Sequence, residues 1–129
     1  MALVSALVVP MFGGSGVSTT DMKSAARQLA AGMRLARSEA IATRAETRVT
    51  LDLERHTFRV ARDPREHTLP AKLEMKLVTA QSDIESEKTG SIRFFPDGGS
   101  NGGRVTLAAG ERKYEIDVDW LTGRVAILE

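Results

Sequence analysis

The chain has 129 residues, the length of one domain, with 42% hydrophobic and 27% charged residues and a net charge of +1. A core of that size forms without metal or disulfide, and the near-neutral charge argues against a dedicated nucleic-acid binder or a polybasic membrane sensor. The absence of cysteine removes disulfides, thiolate nucleophiles and cysteine-ligated zinc together. The charge is unevenly spread: residues 21–48 carry six basic and three acidic side chains, and residues 81–129 carry six basic and nine acidic ones.

The first stretch, MALVSALVVPMF, is almost wholly apolar. A membrane span needs about 20 such residues, so this one is too short by itself. It also lacks the basic flank and cleavage site of a secretory signal. Two readings stay open: a buried helix or strand, or the last turns of a longer apolar helix that starts before Met1. The uninterrupted apolar character at Met1 favours the second. Leu3, Val4, Leu7, Val8, Val9 and Phe12 have no polar opposite face, so they are expected to bury against other helices or lipid. Pro10 and the glycines at 13, 14 and 16 then make a joint, which closes a first segment at residue 18.

Ser18 and Asp21 fit the capping pattern that opens a helix. Met22, Ala26, Leu29, Met33, Ala36 and Ala40 follow at spacings of three and four, a single stripe along a helix over 19–43, roughly 35 Å long. The stripe is rich in alanine, so a sheet of the same domain can approach closely. Arg27, Arg34 and Arg37 lie off the stripe and are candidate partner contacts. After Thr43 the period drops to two. Val49 to Leu53, Phe58 to Val60, Leu73 to Leu77, Ile92 to Phe94, Val105 to Leu107, Tyr114 to Val118 and Val125 to Ile127 read as seven short strands within 47–128. The polar stretch 81–91 reads as a long exposed loop. Strands linked by turns, with no helix between them, imply antiparallel pairing. The fold class is therefore α+β: one long N-terminal helix, then an antiparallel β domain of residues 19–129 counted with the helix, in two packed sheets.

The segment FFPDGGSNGGRVTL, residues 94–107, raises the question of a phosphate-binding loop. Such a loop needs Lys-Ser or Lys-Thr and a helix after its glycines. Here Arg104 to Leu107 alternate like a strand, so the glycines read as turn residues taking positive φ. His56 and His67 sit between charged residues outside any metal-binding spacing and read as solvated turn residues. Asp117 and Asp119 share one strand phase, and with Asp97 they make three carboxylates, a match for calcium by number alone; the plainer reading is a polar outer face. Trp120 reads as closing one end of the core. No nucleophile elbow, metal-ligand spacing or converging titratable set is present, so no enzyme activity, cofactor or metal is expected.

Three stretches carry a resemblance: LARSEAIATRAETRVTLDL at the helix end, IRFFPDGGSNGGRVTL, and YEIDVDWLTGRVAI. In this order they resemble the minor pseudopilins of bacterial type II secretion, specifically the H subunit (GspH), and its type IV pilus relative FimT. The resemblance implies a pilin-like fold with no catalysis. It implies a single-pass inner-membrane anchor supplied by the N-terminal helix of a longer protein, and a globular domain in the periplasm. The implied partners are other minor pseudopilins and the major pseudopilin, in a filament that exports folded proteins, with this subunit near the tip. The alternative it leaves is a minor pilin in pilus assembly or DNA contact. Aromatic residues do not interleave with Arg or Lys, so nucleic acid is not expected as a partner.

Overall fold

The computed structural model describes residues 18–79 and 88–129. Leu3, Val4, Leu7, Val8, Val9, Phe12 and the glycine joint lie outside the described residues, as do positions 81–87 of the polar stretch.

Helix α1 runs Thr19–Thr43. Ser18 caps it with an extended backbone, and its Oγ accepts from the Asp21 amide at 3.0 Å. Asp21 places a negative charge on the positive end of the helix dipole. The far end closes through Arg44 in the left-handed conformation, φ 55°. The whole apolar stripe is buried: Met22, Ala26, Leu29, Met33, Ala36 and Ala40, joined by Ala25 and Ala30. Gly32 extends the small-residue face. A Cβ there would stand 2.9 Å from Cε2 of Phe58 and 3.3 Å from Cγ2 of Val60, so the missing side chain sets how closely helix and strand approach.

Eight strands are present among the described residues: β1 Thr47–Asp52, β2 Thr57–Val60, β3 His67–Thr68, β4 Glu74–Thr79, β5 Thr89–Phe94, β6 Gly103–Ala109, β7 Arg112–Val118 and β8 Val125–Leu128. They form two four-stranded antiparallel sheets, ordered β3-β2-β1-β5 and β4-β6-β7-β8. Neighbours in sequence pair within β1-β2-β3 and within β6-β7-β8. Between these runs the chain crosses to the second sheet for β4, back for β5, and across again for β6. One residue set fills the interior. Val49, Leu51, Phe58, Val60, Ile92 and Phe94 come from the first sheet; Val105, Leu107, Tyr114, Ile116, Val118 and Val125 come from the second. All face the helix stripe, and each large aliphatic among them contributes roughly 1.5–3 kcal/mol by leaving water.

Three expectations change. The two-residue strand β3 is additional, with His67 opposite Phe58. The expected loop over 81–91 ends sooner, because Thr89, Gly90 and Ser91 pair with Asp52, Leu51 and Thr50 of β1. The glycine segment is the expected chain reversal, and it carries the chain from β5 of one sheet to β6 of the other. β4 begins after Leu73, and its apolar residues are only partly buried, because it is an edge strand.

Candidate functional site

The three stretches that carry the family resemblance are far apart in sequence and meet at one side chain. Arg37, the second residue of the ARSEAI stretch of α1, donates from Nε to the carbonyl oxygens of Gly98 and Thr122, each at 3.0 Å. Gly98 belongs to the PDG turn after β5, and Thr122 to the DWLTGR turn between β7 and β8. A helix arginine thus ties down two turns, one that leaves the first sheet after β5 and one that joins β7 to β8 in the second.

Each turn is shaped by its own acid. Asp97 accepts from the Gly99 amide at 2.8 Å, and the Gly98 amide reaches the Phe95 carbonyl at 2.8 Å. Asp119 accepts from the Leu121 amide and the Thr122 hydroxyl, both at 3.1 Å. The Ser100 amide then bonds the Trp120 carbonyl at 3.0 Å, joining turn to turn. Two glycines make the approach possible. Gly98 has φ +92° and Gly123 φ +71°, both left-handed. A Cβ on Gly98 would lie 2.9 Å from Nη2 of Arg37, and one on Gly123 would collide with the Gly98 carbonyl oxygen.

One turn of helix earlier, Nη2 of Arg34 donates to the Val125 carbonyl at 3.0 Å, at the start of edge strand β8. Arg34, Arg37, Ser38, Thr122, Arg124 and Val125 line a notch of about 680 Å³. Arg27 stands apart, in a shallow groove with Lys23 and Gln28 nearer the helix start. The structure therefore brings Arg34 and Arg37 together, leaves Arg27 out, and adds Arg124. Sequence reasoning passed over Arg124 because it stood as one more charge after a turn glycine. The TGR turn itself was the available signal.

The other polar candidates have local duties. Asp117 pairs with Nε of Arg104 at 3.2 Å, and Asp119 is spent on its turn, so both read as surface and turn residues. No three of His, Cys, Asp or Glu are grouped to hold a metal ion among the described residues. The histidines are not plain solvated residues. His56 takes φ 55° at the β1–β2 turn, and its Nε2 lies 2.8 Å from the Leu73 carbonyl. His67 stacks on Phe58 with ring centroids 4.8 Å apart. Trp120 does not close the core: it is 67% exposed, as are Leu121 and Val78. The turn that carries it is held from below by backbone bonds, which leaves the indole outside. Burial, then a hydrogen bond to Glu129, holds the Tyr114 phenol above its ordinary pKa, and hydrogen bonds from Arg65 hold Asp63 below the usual carboxylate value. Neither group lies at the junction. No helix of the described residues is long and apolar enough to cross a membrane.

Comparison with known proteins places this geometry. The family model for the type II transport protein GspH matches residues 25–122, a span that includes Arg37 and both carbonyls it bonds, those of Gly98 and Thr122. The type II secretion system protein H of Xanthomonas campestris pv. campestris is 33% identical over 127 residues, covering 97% of this chain and 73% of that protein. Two solved structures share the fold. The type IV minor pilin FimU of Pseudomonas aeruginosa superposes with a TM-score of 0.65 at 17% identity, over 85% of this chain and 90% of its own. The minor pseudopilin EpsH of the Vibrio cholerae type 2 secretion system does so with a TM-score of 0.65 at 12% identity, over 84% and 96%.

Proposed function

The chain belongs to the GspH family, and from that membership we propose that it acts as a minor subunit near the tip of a periplasmic pseudopilus, helping a type II secretion system to export folded proteins. The observation that carries this is the 33% identity to a secretion protein H across nearly the whole chain. It is a pseudopilus subunit with a pilin-like fold and a globular domain suited to the periplasm. Its work is assembly with other pseudopilins rather than bond-making. The apolar residues Leu3, Val4, Leu7, Val8, Val9 and Phe12 would supply the packing, against neighbouring helices and the inner membrane. The arginine-bearing helix behind them would supply contacts between globular domains. Glycines at 13, 14 and 16 would let each domain settle around the packed helices; replacing all three with alanine tests that joint.

The likeness to FimU is one of fold, and a role in a type IV pilus is the alternative. Deleting the gene in its host separates the two. Loss of exported enzymes from the medium, restored by the native gene and not by the triple-alanine form, is the expected result. Normal export with loss of surface pili would replace this reading with the pilus one.

A further inference from the structure

We propose that the notch of Arg34, Arg37 and Arg124 is a carboxylate-binding socket, and that its occupant is an Asp or Glu side chain on the globular domain of an adjacent pseudopilin. This rests on the pseudopilus reading and adds to it a surface and a chemistry.

The argument is one of uncompensated charge held in place. Six other arginines find carboxylates: Arg48 and Arg93 reach Glu46, Arg55 and Arg59 reach Glu66, Arg65 reaches Asp63, and Arg104 reaches Asp117, all at 2.7–3.4 Å; what sets the notch apart is that three arginines unpaired among the described residues meet in it and two of them are anchored. Among the described residues no carboxylate comes within ion-pair distance of Arg34, Arg37 or Arg124. The acids of the two turns that Arg37 bonds, Asp97 and Asp119, are turned to the amides and hydroxyl of their own turns. Three arginines therefore line one concavity of about 680 Å³ without a counter-charge among the described residues. Two of them are pre-positioned. Arg34 is anchored on Val125, and Arg37 on Gly98 and Thr122, each through one nitrogen. A guanidinium has five N–H donors, so each keeps several for a ligand. Forked donors of this kind suit a planar carboxylate, and anchoring lowers the ordering cost of binding it.

Guanidinium forks also suit phosphate. A nucleic-acid strand, however, needs cations along a path. Here the arginines of the first sheet are already paired with Glu46 and Glu66, and the whole chain carries only +1. A single socket fits one protruding acidic side chain better than a polyanion.

The test uses the 129-residue chain and the purified globular domains of the pseudopilins encoded beside it, with affinities measured by interferometry at low and high salt. Two variants change the socket without touching its anchors: Arg124→Glu reverses one wall, and Ser38→Glu places a carboxylate inside it. Both positions are exposed, and unchanged circular dichroism checks folding. Each variant is expected to weaken binding of one domain by about tenfold or more and to flatten its salt dependence. An Asp→Arg or Glu→Arg change on that domain should restore binding to Arg124→Glu. Domains that bind both variants as they bind the unsubstituted chain would overturn the socket while leaving the pseudopilus reading intact. Failure of every domain to bind the unsubstituted chain would sink both. A DNA duplex or phosphatidylglycerol vesicle whose binding is lost in the same variants, with the domains unaffected, would assign the notch to phosphate and overturn the proposal.

Discussion

Gly123 has no room for a side chain in either sense that matters. Its φ of +71° disfavours any residue with a Cβ, and a Cβ there would run into the backbone of the facing turn at Gly98. Backbone cannot swing aside as the end of a long side chain can. Gly123→Ala is therefore expected to cost about 2–4 kcal/mol, read as a lower urea midpoint at constant slope. Arg37→Ala should cost about 1–3 kcal/mol, because two carbonyls lose their donor, and Arg37→Lys should recover part of that with one ammonium. A neutral Gly123→Ala would mean that the two turns are not pressed together in solution. The turn glycines themselves were legible in sequence, since Pro-Asp-Gly and Thr-Gly are turn chemistry. Their meeting was not. Arg37 bonds residues 61 and 85 positions away, and no local pattern records such a pairing. His56 escaped for a related reason: its ring partner, Leu73, becomes a neighbour only once the chain has folded back.

At the scale of the element, the helix tells why some of the fold could be read and some could not. A cap, a first-turn acid and a strict three-four spacing all point to one answer, and α1 spans the residues they indicate. The strands are legible singly for the same reason, since alternation reports which face is buried. Alternation is the same whatever strand lies alongside, so it does not say that β5 joins β1 while β6 joins β4 and β7. Nor can a period of two be seen in the two residues of β3. Position 32 tests the packing between elements. Leucine is a better helix former than glycine by nearly 1 kcal/mol, so propensity alone makes Gly32→Leu stabilising. The structure predicts the reverse. Cε2 of Phe58 stands 2.9 Å from the first added atom, and Phe58 is itself buried and stacked on His67. Overpacking of that kind costs about 1–3 kcal/mol or more. A gain in thermal midpoint for Gly32→Leu would show that helix and first sheet are not in the close contact described.

The molecule as a whole has two sheets but one core. Met22, Leu29 and Met33 belong to the single stripe against which residues of both sheets are buried, and no second helix stands between the sheets among the described residues. The sheets also touch each other at their edges, where the Thr79 hydroxyl bonds the Ser91 carbonyl at 3.0 Å. A sheet with one apolar face must bury that face against another element, and here α1 covers both, so neither sheet should survive loss of the helix. Native-state hydrogen exchange can check this. Amides of β1 in one sheet and β7 in the other should open with the same free energy, and Leu29→Ala should lower both together by about 2–5 kcal/mol. If β1 opened while β7 kept its protection, the helix would be serving the sheets separately. Single-unit behaviour also bears on assembly. Arg34 and Arg37 extend from the same helix that organises the core, and they grip a strand and two turns of the β domain. A load applied to the socket is then carried by the whole domain instead of by a loose turn.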